Sequence, residues 1–93
     1  MSVQIFKPNR ELTFDTVRPD SHRLLKLLCD KKTSKICFNL QEVVRCDSAG
    51  LALLIEAKRL CKQYGKQLSI EGMSEDMQVL AKFCGVEAML QCQ

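Results

Sequence analysis

Six cysteines, one histidine and an Asp-Ser pair are the side chains in this 93-residue sequence whose types suggest chemistry. Cys29, Cys37, Cys46, Cys61, Cys84 and Cys92 include no C-x-x-C pair, and His22 stands seven residues from the nearest of them. Structural zinc draws its ligands from closely spaced pairs, so no metal site is expected. The opening residues lack a basic segment leading into an apolar stretch, which argues against a secretory signal. A reducing compartment is therefore expected, in which disulfides rarely persist. Several thiols fall at apolar positions of periodic segments and read as small buried hydrophobes. His22 falls in a solvent-facing stretch of the first helix and reads as a surface histidine, and Gly50, Gly65, Gly72 and Gly85 are scattered rather than gathered into a phosphate loop. Neither catalysis nor a cofactor is expected.

Asp47-Ser48 is different, because it opens the longest helical segment. Asp47 is a good N-cap for a helix over residues 48–64, and Gly65 supplies its stop. At about 100° per residue, Leu53, Leu54, Ala57, Leu60, Cys61 and Tyr64 form a core face. Glu56, Lys58, Arg59, Lys62 and Gln63 lie opposite. Leu51, Ala52 and Ile55 fall on that polar side, beside Ser48. The helix is thus apolar nearly all round in its first half. Either loops bury that end on both sides, or an exposed apolar patch awaits a partner. A serine in the first turn needs no function, yet a phosphate there would be favoured by the helix dipole and would disrupt docking on an apolar surface.

The elements that position this helix follow from patterning. Val3 to Phe6 reads as extended, Pro8-Asn9-Arg10 as a turn, and Glu11 to Asp15 alternates as a half-buried strand, so a hairpin is expected. A helix starts near Pro19 and Asp20, buries Leu24, Leu25, Leu27 and Leu28, and closes at Lys31-Lys32. Ile36-Cys37-Phe38 reads as a buried central strand. Residues 40–47 form a loop, and Gln67 to Glu71 a further strand. Ser74 caps a last helix in which Met77, Leu80, Ala81 and Cys84 recur, and Gly85 ends it. The order β-β-α-β-α-β-α implies an α/β sandwich with a mixed, largely parallel sheet.

A content of 46% hydrophobic and 27% charged residues excludes disordered and fibrous classes. The length suits one domain over residues 1–93. The longest apolar run, Leu51 to Ile55, falls far short of the roughly 18 residues of a membrane span. Basic residues gather at Lys31, Lys32 and Lys35 and at Lys58, Arg59, Lys62 and Lys66. A net charge of +3 with 5% aromatic residues does not make a nucleic-acid surface. Solvated helix faces account for these charges, with an acidic partner or an anionic membrane surface as a weaker role.

Val44-Arg45-Cys46-Asp47-Ser48-Ala49-Gly50-Leu51-Ala52-Leu53-Leu54, opening a helix after a strand, resembles the signature of STAS domains. These small α/β domains (SpoIIAA-like in fold) occur in anti-sigma factor antagonists and in cytoplasmic parts of anion transporters. Gly65 to Met73 resembles the family's next strand and turn, and Leu80 to Val86 its last helix. The likeness covers the second half of the chain in sequence and the first half in pattern. Gly50 to Leu54, Glu71-Gly72 and Leu80-Ala81-Lys82 look most like the MlaB-like branch, STAS subunits of phospholipid-transport ABC complexes concerned with outer-membrane lipid asymmetry.

This resemblance implies a non-enzymatic cytoplasmic subunit, held peripherally at the inner membrane by the transporter. Its partner would be the ABC-transporter ATPase subunit (MlaF-like), bound through Asp47, Ser48, Leu51, Ala52, Ile55 and Arg59. No small-molecule substrate is implied. The family often has Thr-Gly where this chain has Ser48-Ala49, and phosphorylated anti-sigma factor antagonists carry a serine there. An antagonist switched by phosphorylation of Ser48 is the alternative.

Overall fold

In a computed structural model, residues 2–90 are described. Strand β1 (Ser2–Phe6) is followed by a short β2 (Glu11–Leu12) and helix α1 (Val17–Cys29). Next come β3 (Thr33–Asn39), β4 (Arg45–Cys46), α2 (Ser48–Gln63), β5 (Gln67–Glu71), α3 (Glu75–Phe83) and a 3-10 turn (Ala88–Leu90). The main sheet has the order β1-β3-β5, and β2 pairs with β4 in a separate two-stranded ladder. Every described pairing is parallel. The fold is α/β, as the alternation of elements implies, but the expected mixed sheet is parallel throughout.

Register decides which side chains share a face. Phe6 lies beside Phe38 and Phe38 beside Ile70, while Ile36 lies beside Leu68. These residues face the helices, and the Phe6 and Phe38 rings stack with centroids 4.8 Å apart. Leu24 and Leu28 of α1, Leu54, Ala57 and Cys61 of α2, and Met77 and Ala81 of α3 complete one continuous core. Val3 and Ile5, on the opposite face, are exposed.

The hairpin expected between the first two strands does not form. β1 takes its partner from β3, and β2 takes its own from β4, with Val44 N–H donating to the Arg10 carbonyl over 2.7 Å. Residues 40–47, expected as a loop, thus contain a strand. The chain is redirected by Asp20, which is fully buried. Its carboxylate accepts the Asn9 N–H at 3.2 Å and pairs with Arg23 at 3.1 Å. The Arg23 guanidinium also donates to the Lys7 carbonyl at 2.9 Å and lies 4.8 Å from the centre of the Phe6 ring. Burial pushes the Asp20 carboxyl up from its ordinary value, against the opposing pull of the Asn9 N–H and Arg23.

Alternation also stops earlier than expected. The Thr16 hydroxyl accepts from Thr13 N–H at 2.9 Å and donates to the Glu11 carbonyl at 2.7 Å, turning residues 13–16 away from the strand. Phe14, expected on a half-buried strand, is instead 78% exposed. α1 starts at Val17, two residues before Pro19, and leaves Leu25 exposed. Cys61 is a core thiol, whereas Cys84, expected on the apolar face of the last helix, is exposed, as is Cys29. Cys92 lies outside the described residues.

The Asp20 cluster predicts a stability contrast. Asp20→Ala leaves the Asn9 N–H without its acceptor and should cost about 2–3 kcal/mol in urea unfolding at neutral pH. Removing the carboxylate of Glu42, whose pair with Lys7 is exposed on both sides, should cost less than about 0.5 kcal/mol.

Candidate functional site

The start of α2 is built around one carboxylate. Asp47 adopts an extended backbone and caps the helix: its Oδ1 accepts from Ala49 N–H at 2.9 Å and from Gly50 N–H at 3.2 Å. Its Oδ2 accepts from Phe14 N–H at 3.1 Å, 33 positions away. The same residue donates its own N–H to the Leu12 carbonyl at 3.2 Å. Asp47 therefore ties the loop after β2 to the first turn of α2. Accepting the Phe14 N–H, and then those of Gly50 and Ala49, holds its carboxyl below the ordinary carboxylate value.

Gly50 permits the close approach this clamp requires. A Cβ there would collide with the Leu12 carbonyl oxygen and lie 2.8 Å from Cys46 Sγ. β2 and β4 therefore cover the side of α2 that the helical wheel left unexplained. Leu51 is 2% exposed and belongs to the core. Its expected place in an exposed partner-binding patch is a correction: the small ladder makes a second buried surface for the helix start. Tyr64, expected on the core face, is exposed where α2 ends. The Cys46 thiol is pushed up to about 11, first by burial and then by the neighbouring Asp47 charge, so it stays protonated at neutral pH.

The remaining expected site residues are displayed. Ser48 and Ala52 are exposed, Ile55 is half-buried, and Arg59 is exposed two turns beyond Ala52. The Ser48 hydroxyl makes no hydrogen bond among the described residues. Arg59 is held on Glu56, with Nε donating to Oε1 at 2.9 Å, and it also donates to Gln63 at 3.3 Å. That pairing pulls the Glu56 carboxyl below its ordinary value.

Two features escaped the sequence pattern. Phe14 is exposed, and its backbone N–H is fixed by Asp47, the residue that caps α2. A cleft of about 480 Å³ runs between α1 and α2, with Val17, Ala49, Ala52 and Leu53 as its apolar part and Arg18, Ser21, His22 and Glu56 around it. An Asp three residues ahead of a helix glycine is the available signal for the clamp's N-cap half. Nothing in sequence pointed to its Phe14 half. The arrangement offers a rigid, mixed apolar and polar surface for contact.

Comparisons with known proteins agree on family and fold. The family model described as "Mlab, STAS domain" matches residues 10–91. The intermembrane phospholipid transport system binding protein MlaB of Escherichia coli (strain K12) is 35% identical over 52 residues, which is 56% of this chain and 54% of that protein. Its counterpart from Shigella flexneri matches to the same extent. This chain thus spans about half the length of the curated relatives it matches. A crystal structure of a sulfate transporter family protein from Wolinella succinogenes superposes with a TM-score of 0.74 at 22% identity, covering 95% of this chain and 70% of that one.

Asp47→Ala should cost about 1–2 kcal/mol at neutral pH, the range for a lost N-cap. Because the folded-state carboxyl lies below its unfolded value near 3.9, its contribution is complete above that value. It is lost as pH falls through the lower, folded-state value. The difference between the two proteins in urea unfolding should therefore shrink on acidification below about pH 4.

Proposed function

Because this chain belongs to the STAS domain family, we propose that it is a binding subunit without catalysis of its own, docking on the ATPase of a phospholipid-transport ABC complex. Such a subunit works in the cytoplasm and sits at the inner membrane only through the transporter. The observation that carries this reading is the surface at the clamped end of α2. Ser48 and Ala52 are exposed on the first turns of α2 and Phe14 is exposed on the loop after β2, two segments that the Asp47 carboxylate ties together. A preorganised surface with an aromatic anchor loses little entropy on association. The MlaB proteins that resemble this chain carry phospholipid transport in their names, which supports choosing a transporter as the partner. Among the described residues, no helix is long and apolar enough to cross a membrane, so attachment through a partner is consistent with the fold.

A second reading keeps the same surface. Ser48 is exposed and its hydroxyl is unengaged among the described residues; a kinase of an anti-sigma system would find it accessible. Stoichiometric phosphate at Ser48 by intact mass, after incubation with such a kinase and ATP, would favour an anti-sigma factor antagonist over the transporter subunit.

Three substitutions separate surface from core. Ala52→Asp and Ser48→Glu should each lower co-purification of the ATPase by roughly tenfold or more, with the melting temperature of the isolated domain unchanged within a few degrees. Leu51→Asp should instead prevent folding, since it buries an unpaired charge. Unchanged co-purification with Ala52→Asp would remove the start of α2 from the interface.

A further inference from the structure

Beyond the start of α2, its second half borders a groove of about 280 Å³ formed with the 3-10 turn. Ile55 and Met89 supply its apolar part, and Lys58, Arg59 and Lys62 surround it. The Lys58 ammonium donates to the Met89 carbonyl at 2.7 Å, which pins the turn against α2 and gives the groove its wall. Arg59 is oriented by Glu56. Lys62 makes no hydrogen bond or ion pair among the described residues. Three cations thus border apolar surface, with the Glu56 carboxylate engaged on Arg59. The volume lies just below the roughly 300–1,000 Å³ of small-molecule pockets, a size for a side chain rather than a metabolite.

We infer that this groove receives an acidic polypeptide segment, which inserts one apolar side chain against Ile55 and Met89 and sets carboxylates against Arg59 and Lys62. Charge complementarity selects the occupant: desolvated apolar contact supplies affinity, and the flanking charges supply register and encounter rate. A polypeptide fits better than a lipid surface, because the apolar face of α2 is committed to the core through Leu54, Ala57 and Cys61. An amphipathic helix that binds a membrane needs that face free. The inference rests on the docking reading above, since Ile55 and Arg59 border both surfaces. It extends that reading by naming the partner's chemistry, a segment of the docked protein rich in Asp and Glu with one large aliphatic or aromatic residue.

Two measurements test it separately from the docking reading. In the first, the labelled protein is titrated at low salt with an end-blocked peptide of one leucine flanked by glutamates, followed by amide NMR shifts. Shifts confined to the surroundings of Ile55, Lys62 and Met89 are expected. They should disappear with Lys62→Glu, with a peptide carrying Gln for Glu, and at high salt. In the second, Lys62→Glu should weaken ATPase association roughly tenfold at low salt, beside Ala52→Asp as the arm for the docking reading. A groove silent to the peptide, with ATPase binding unaffected by Lys62→Glu but abolished by Ala52→Asp, overturns the groove and leaves docking intact. Peptide shifts in the groove without any ATPase binding by the wild-type chain support the groove and overturn the docking reading. Lys62-dependent sedimentation with phosphatidylglycerol vesicles, with the peptide silent, assigns the surface to lipid and overturns the inference.

Discussion

The Asp47 carboxylate is the contact on which the rest of the site depends. Its two oxygens accept three backbone N–H groups, two from the first turn of α2 and one from Phe14. Those donors would otherwise be the unsatisfied end of a helix and an open loop. Satisfying them with one side chain brings β2 against α2, and only a residue without Cβ at position 50 allows the distance. Capping, loop position and helix packing are therefore a single constraint rather than three.

That constraint explains how one apolar helix end serves two surfaces. A helix on an ordinary sheet buries one stripe. Here α2 meets the main sheet on one side and the β2–β4 ladder on another, so Leu51, about 120° from the centre of the core face, is interior as Leu54 is. The strip left exposed runs through Ser48, Ala52 and, further along, Arg59. Its neighbours are fixed in turn. Phe14 is placed by the clamp, and α1 reaches across the cleft with its own start tied down by Asp20 and Arg23. The result is a surface that need not be ordered when a partner arrives, which is where affinity is most readily gained.

Much of this was legible in sequence, and the failures share one cause. The bounds of α2 and β5, the Asp47 and Ser74 caps and the central place of β3 follow from local signals: caps, periodicity, and a run of β-formers. The STAS resemblance of residues 44–54 agrees with the family match. What pattern could not supply was long-range pairing. β2 and β4 have two residues each and carry no periodicity of their own. Without them, Glu11 to Asp15 looks like half of a hairpin, Phe14 looks half-buried, and Leu51 looks like an exposed apolar residue. Asp20 likewise reads as a helix-end charge until the fold buries it under the Lys7–Asn9 turn. The three residues that seemed misplaced on α2 divide accordingly: Leu51 goes to the core, Ala52 to the surface, and Ile55 to the edge of the basic groove.

The clamped end of α2 is the proposed docking surface of this STAS domain. Hydrogen–deuterium exchange of the domain, alone and with the transporter ATPase bound, tests that most directly. Slowed exchange in residues 13–18 and 48–60, with α3 and the outer face of β1 unchanged, is the predicted footprint. Protection centred on α3, around the exposed Val79 and Phe83, with the start of α2 unaffected, would contradict it.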